Sequence, residues 1–427
     1  MYSKKIIDDI NKELENLKVQ GKFKVERELE GPQGPEVLIG GKKVLMFGSN
    51  NYLGLSNHPA LVEASNEYQK KYGYGLSSVR FISGTQNIHR ELEKKLAEFL
   101  GTEDAILYST NFMSNLGFFA SIVNEPFQKL VVGVPIGTPT TNYKDAIYSD
   151  ALNHASIIDA FKLCNRERLE KRIYPHKDLT TLRQMLEEDT STSLSAGNSK
   201  DIRNKIIVTD GVFSMEGDTA DLAELVKIAE EFGAMLFVDD AHAVGVLGEN
   251  GTGTAEHCGV FGKVDVISGT FGKALGGAVG GYIAGKKEIV EFLRQKSRTY
   301  MFSNSVPPAV IGATLRALEL LKEDNNLLIA VKDNAKYFRD GLEKLGFKTL
   351  PGSHPIVPLM IGDAKLTQEM SKKLLENGIY VVGLWFPVVP EGHARLRFQI
   401  SAAHTKAHID QALTVLEKIG KEMGVIN

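Results

Sequence analysis

Apolar positions along this chain follow two periods, and the change from one to the other marks out its elements. Ile6, Ile7, Ile10, Leu14 and Leu17 recur three or four residues apart, so residues 3–17 are expected to form an amphipathic helix whose apolar stripe needs a surface to lie on, such as a subunit contact. Short apolar runs at 37–39 and 44–46 flank Gly40-Gly41 and predict a hairpin. Residues 48–59 are dense in turn formers and read as a loop. Leu92, Leu96, Phe99 and Leu100 share one helical face that stops before Gly101, a residue type suited to a left-handed C-terminal cap.

From there the chain takes on the rhythm of an α/β sheet. Strands are expected at 105–108 and from 147, and then at 206–208 and 235–238, enclosing a helix over 220–232 with Leu222, Leu225, Val226 and Ile228 on one face. Strand, helix and strand within that length imply a parallel pair with a right-handed crossover. A further strand is expected at 264–267, and a glycine-rich segment after it ends in the apolar run 282–284. Residues 178–186 predict a helix, the Ser/Thr-rich stretch 188–201 a polar loop, and 126–143 an irregular excursion. The Pro307-Pro308 pair suggests a hinge, and beyond it helical patterns at 309–321, 328–345 and 368–377 with a strand at 357–361 predict a smaller α/β domain. The expected division is a helix and small strand element at 1–50, a large domain at 51–305 and a small C-terminal domain at 306–427.

Composition narrows the partner. In 427 residues the net charge is only −3, which leaves no electrostatic footprint for nucleic acid or an anionic membrane and points to a small molecule. Cys164 and Cys258 have no metal-binding or redox spacing, no apolar run reaches the length of a membrane span, and the N-terminus mixes acids with bases, unlike a secretory signal. A cytoplasmic enzyme without a metal is the expectation.

The chemistry gathers after the strands. Lys273 stands among Gly272, Ala274, Gly276 and Gly277, where nothing bulky in the adjacent sequence blocks a flat cofactor; a lysine there could equally be a surface residue in a flexible loop. Ser214, Asp239 and His242 likewise follow successive expected strands, on the edge where α/β sheets bind ligands, and the loop after the strand from 147 presents His154. A lone Asp after a strand is often a helix cap and a lone His often satisfies backbone, but Asp239, His242, Ser214 and the unhindered Lys273 converging on one edge are hard to explain as four independent caps. The small polar run from Ser109, around Asn111 and Phe112, suits an anionic group at a helix start. Arg395 and Arg397 share one face of a strand opposite Leu396 and Phe398, where an arginine could pair a surface carboxylate or clamp a substrate's.

Seven ordered blocks carry a resemblance: NNYLGLSNHP (50–59), ISGTQNIHRELE (82–93), LNHASIIDA (152–160), TDGVFSMEGD (209–218), VDDAHAVGVLG (238–248), SGTFGKALGGAVGGYIAG (268–285) and RLRFQISAAHT (395–405). Together they resemble the α-oxoamine synthases, pyridoxal-phosphate enzymes that condense an amino acid with an acyl-CoA, over nearly the whole chain. Within that family, SVRFISGTQ, LNHASIIDAFKLC and EKIGKEMGVIN look most like the branch that joins glycine to acetyl-CoA, giving 2-amino-3-oxobutyrate and CoA. Serine palmitoyltransferase and 8-amino-7-oxononanoate synthase are the sister activities, and a catalytically silent partner subunit is the alternative of another class. The stretches 126–143 and 188–201 are longer than the family's corresponding segments.

The resemblance implies a fold-type-I aminotransferase-like α/β enzyme with a mostly parallel sheet. It assigns Lys273 as the Schiff-base lysine and proton carrier, Asp239 as partner of the pyridinium nitrogen, with Asp240 its near neighbour, and His154 as the residue stacked on the ring. His242 and Ser214 would lie at the ring's phenolic oxygen. Thr270 and the amides of Asn111 and Phe112 would hold the phosphate, completed by a serine from the other subunit of a homodimer, here Ser303. Arg397 would clamp the substrate carboxylate with Asn50 beside it, Asn51 and Arg395 being the neighbours that compete for those roles.

Overall fold

The computed structural model describes residues 4–20, 22–123, 144–195 and 202–427. The excursion expected at 126–143 lies outside the described residues, as do residues 196–201 of the expected polar loop. Thirteen strands are described: β1 (Glu36–Ile39), β2 (Lys42–Met46), β3 (Asp104–Tyr108), β4 (Lys144–Asp150), β5 (Leu169–Tyr174), β6 (Ile202–Asp210), β7 (Met235–Asp239), β8 (Val266–Thr270), β9 (Gly281–Gly285), β10 (Ile356–Gly362), β11 (Ile379–Tyr380), β12 (Val382–Leu384) and β13 (Ala394–Gln399).

Seven of them form the central sheet in the order β3-β9-β8-β7-β6-β4-β5. β5, β4, β6, β7 and β8 run parallel, whereas β9 is antiparallel to both β8 and β3. The C-terminal ends of β3, β4, β6, β7 and β8 therefore share one edge. Side chains alternate between two buried cores: Leu236 and Val238 of β7 face one, while Phe237 faces the other beside Ile206, Val208, Phe118 and Phe119. Burial on both faces is why these strands read as nearly unbroken apolar runs.

The helix Asn87–Leu100 turns Leu92, Leu96, Phe99 and Leu100 into the first core and ends at Gly101, whose φ of 68° is the left-handed cap its sequence suggested. The helix Leu179–Ser195 overruns its expected end at 186 and replaces the first part of the predicted polar loop. Leu182 and Leu186 bury in the core, and Asp189 then takes the Tyr148 hydroxyl at 2.7 Å and Arg172 at 2.7 Å, so tertiary anchoring overrides a poor helical composition.

The smaller unit is the antiparallel sheet β10-β13-β12 covered by helices, with a core that includes Phe47, Phe338, Val357, Leu359, Leu396 and Phe398. β2 pairs with β1 as the expected hairpin and also, in parallel, with β11, so the first strands of the chain join the C-terminal unit. The helix Pro308–Glu323 goes the other way: Ile311, Leu315, Leu318 and Leu321 belong to the large core. The division between cores falls within the helix Asn326–Lys344, where Leu328 and Val331 face the large unit and Ala335, Phe338 and Leu342 the small one. Periodicity exposes a helix's apolar face but not which core it covers, so the expected boundary at 305/306 does not separate the cores. The N-terminal helix Lys4–Val19 buries none of its residues within the chain, and its Ile6, Ile7, Ile10 and Leu14 are exposed. Among the described residues no helix is long and apolar enough to cross a membrane.

Candidate active site

Five strand ends build the site. After β7, Asp239 is buried and accepts from Asn111 Nδ2 at 3.1 Å to each oxygen, from Asn115 Nδ2 at 2.7 Å and from the Ala241 amide at 3.1 Å. Asn111 and Asn115 are four residues apart on the helix Asn111–Ile122 and so present their amides on one face. A buried carboxylate held by three donors is poised for a cation. Asp240, next in sequence, points elsewhere: it takes the Thr254 amide at 2.8 Å and the Thr254 hydroxyl at 2.5 Å, and burial raises its pKa to about 6. Of the two neighbouring acids, Asp239 is therefore the one that faces the Asn111 and Asn115 amides.

Lys273 lies in the turn after β8. Desolvation lowers its amine to about 8, helped by Arg397 and opposed by Asp239 and Asp210. Thr270, the last residue of β8, donates its hydroxyl to Gly280 O at 3.0 Å and accepts the Gly272 amide at 3.0 Å, which shapes the loop that carries the lysine. Across from it Thr110 caps the helix Asn111–Ile122 by accepting Met113 N at 3.1 Å, so the amides of Asn111 and Phe112 lie outside that cap. Gly281 makes the close approach possible: a Cβ there would come within 2.3 Å of Asn111 N. The result is a glycine-walled cradle at a helix N-terminus, suited to a phosphate.

His154 follows β4 and starts the helix Ala155–Leu163, its Nδ1 accepting the Ser156 amide at 3.2 Å. It is a helix cap, yet the residue stays exposed, and Phe112 meets its ring edge-on with centroids 6.4 Å apart. Ser214 sits at the tip of a tight turn after β6, closed by the Gly217 amide donating to Phe213 O at 2.8 Å. Ser303 lies against the same helix start, its hydroxyl 3.4 Å from Ser109 Oγ and 3.7 Å from Met113 Sδ of its own chain.

The small unit closes the site with β13. Arg397 reaches Asn50 Oδ1 at 3.3 Å, and burial lowers its pKa. Arg395 is spent on structure, donating to Met215 O at 3.0 Å and pairing with Glu216 at 3.1 Å. Asn51 is likewise committed, its Oδ1 accepting the Ser56 amide at 3.2 Å and its carbonyl the Ser401 hydroxyl at 2.7 Å. Arg397 and Asn50 are thus the pair that face each other.

Four further residues belong here that the sequence reading passed over. Tyr52 is fully buried with its hydroxyl 2.9 Å from His242 Nδ1. Gln399 follows Arg395 and Arg397 at two-residue spacing on the same face of β13, a periodicity visible in the sequence. Asn115 was legible as the i+4 neighbour of Asn111. Asp210 is in register with Asp239 across β6 and β7, accepts His154 N at 3.2 Å, and is held well above the usual carboxylate range by burial and by Asp239.

The family "Aminotransferase class I and II" matches residues 42–416. The chain belongs to that family. It is 44% identical over 418 residues to the 2-amino-3-ketobutyrate coenzyme A ligase of Escherichia coli K12, covering 98% of each chain. It is 44% identical over 415 residues to the 8-amino-7-oxononanoate synthase of Thermosipho melanesiensis, covering 97% of this chain and 98% of the other. Its fold superposes with a TM-score of 0.85 and 30% identity on a serine palmitoyltransferase variant from S. paucimobilis with a bound PLP–myriocin aldimine, covering 100% of both chains. These relatives fall within the α-oxoamine synthases, and the fold is of aminotransferase type. The residues present fit pyridoxal phosphate: a glycine-walled helix start for the phosphate, a triply held carboxylate for the ring nitrogen, and a lysine of lowered pKa.

Proposed function

We propose that this protein condenses glycine with acetyl-CoA to give 2-amino-3-oxobutyrate and CoA, using pyridoxal phosphate with Lys273 as its Schiff-base lysine. The carrying observation is the meeting at one sheet edge of an amine lowered to about 8, a carboxylate held by three donors and an arginine that faces an amide oxygen. Bound there, the cofactor supplies the electron sink that lets the glycine α-carbon give up a proton.

The chain's residues supply the rest. Lys273 Nζ, neutral in part near physiological pH, takes the α-proton and holds it. Asp239, fixed by its three donors, would partner the ring nitrogen and keep it protonated. Arg397 grips the glycine carboxylate with Asn50 beside it, which orients the α-proton toward Lys273. His154 would cover one ring face, His242 and Ser214 would stand at the phenolic oxygen, and Thr270 with the Asn111 and Phe112 amides would hold the phosphate, joined by Ser303 of the partner subunit in a homodimer.

Identity alone does not separate the two activities of the relatives named above, since both stand at 44%. A synthase for a longer acyl chain is therefore the second reading, and it shares all of the site just described. The purified protein should absorb in the visible Schiff-base region, and glycine should perturb that band. A protein that stays colourless with added pyridoxal phosphate would contradict both readings and favour a catalytically silent subunit.

A further inference from the structure

The start of β10 is where the chain passes from one core to the other. Ile356 and Val357, adjacent in sequence, point to opposite sides of the strand, Ile356 into the core of the large unit and Val357 into that of the small one. His354, two residues earlier and buried, also reaches the large unit. Its Nε2 lies 2.9 Å from the backbone carbonyl of His242, and its ring meets Tyr52 edge-on with centroids 5.3 Å apart.

Both ring nitrogens of His354 face backbone groups, so the partners dictate their roles. The Ile356 amide can only donate, and it does so to Nδ1 at 3.0 Å; the His242 carbonyl can only accept, so Nε2 carries the proton. A second proton on the ring would set N–H against the Ile356 N–H, and burial opposes it as well, lowering the imidazole to about 3. Arg339, on the helix Asn326–Lys344, holds the segment from behind: its guanidinium donates to Leu350 O at 2.8 Å, His354 O at 3.1 Å and Ile356 O at 2.6 Å. The same Ile356 carbonyl abuts the turn that carries Ser214. A Cβ at Gly217 would come within 2.6 Å of it, and the φ of 73° there suits glycine. Residues 354–356 therefore touch both the turn after β6 and the turn after β7.

We propose that His354 is a positioning residue, a neutral donor from the small unit that fixes the backbone of His242 while Ile356 abuts the turn of Ser214. This rests on the proposed function only for what the two turns do, since the contacts themselves need neither substrate nor cofactor.

His354→Gln and His354→Asn separate the two ring bonds, because a glutamine amide reaches the place of Nε2 and an asparagine oxygen that of Nδ1. The amides of Ala243, Val244, Val246 and Leu247 close the turn after β7 onto Asp240 O and Ala243 O. In the full-length chain without cofactor their hydrogen exchange should quicken by about tenfold in His354→Asn, as loss of one buried hydrogen bond implies, and stay near wild type in His354→Gln. With pyridoxal phosphate bound, His354→Asn should shift the pH midpoint of the visible band and lower kcat by up to about 10²-fold. Its KM for glycine should hold, because Arg397 and Asn50 are untouched, and His354→Gln should restore the midpoint and kcat. Equal exchange in the two variants overturns the role of the Nε2 bond, and an unchanged midpoint in a His354→Asn protein whose exchange has quickened reduces His354 to a structural contact. A wild type that takes up no pyridoxal phosphate contradicts the proposed function and leaves the exchange comparison standing. Should either variant fail to fold, the wild type decides: the Ile356 amide and those of the 243–247 turn should exchange as one cooperative unit, and independent exchange overturns the proposal.

Discussion

Lys273 is surrounded by charges of both signs, and burial decides the balance by disfavouring its ammonium form. Since the neutral amine is the nucleophile, capture of pyridoxal phosphate by the apoprotein should quicken with pH up to about 8 and then level off, instead of climbing toward the ordinary lysine value of about 10.4. Stopped-flow absorbance measures this, and a rate still rising steadily above pH 9 would mean that the amine is not desolvated. Asp239→Asn should cut turnover by at least about 10²-fold, as expected for loss of a pre-organised charge partner. Asp240→Asn should instead loosen the Thr254 contact and lower thermal stability, with the visible band retained; comparable turnover losses in the two variants would show that the acids had been wrongly distinguished. Residue type and position after a strand were enough to single out Lys273, Asp239, His154 and His242 as candidates, whereas only the resemblance preferred Arg397 to Arg395 on their shared strand. Their partners were harder to read: nothing local in NNYLGL distinguishes a core tyrosine from one whose hydroxyl meets a histidine 190 positions away.

At the scale of elements, the cradle depends on how closely β9 approaches the helix Asn111–Ile122. Gly281→Ala would drive a methyl to within 2.3 Å of the Asn111 amide, against backbone that cannot swing aside. The helix start must shift, costing about 1–3 kcal/mol of stability by analogy with overpacked cores. Cofactor affinity, followed by quenching of protein fluorescence on titration, should fall together with the melting temperature; normal affinity would remove the helix start from the phosphate site. The strands and most helices were readable because burial on both faces of the sheet writes itself into apolar runs and helical stripes. The continuation of the helix Leu179–Ser195 beyond 186 escaped because a distant ion pair between Arg172 and Asp189 sustains a turn that composition disfavours.

At the scale of the molecule, the chain crosses between its two cores more often than a linear division suggests. Phe47, before the large unit in sequence, is fully buried in the small one, where it stacks with Phe338 at 5.8 Å and meets Phe398 edge-on at 5.6 Å. Phe47→Ala should therefore cost about 3–5 kcal/mol and melt the C-terminal unit first, which hydrogen exchange would detect as early loss of protection in β10 and β13; first loss around β6 and β7 would contradict the placement of Phe47 in the small core. The apolar stripe of the N-terminal helix and the proposed role of Ser303 both call for a second copy, and sedimentation should give about twice 46.9 kDa. Acyl-chain choice is the property least visible in the sequence, because a tunnel is lined by residues scattered over loops and adds roughly 0.8 kcal/mol per buried methylene. Thiol release across acyl-CoA lengths, with glycine, alanine and serine each as co-substrate, therefore tests the proposed reaction most directly. Glycine with acetyl-CoA should give the highest kcat/KM and palmitoyl-CoA little release of CoA; a clear preference for a long acyl chain, or for serine or alanine, would contradict it.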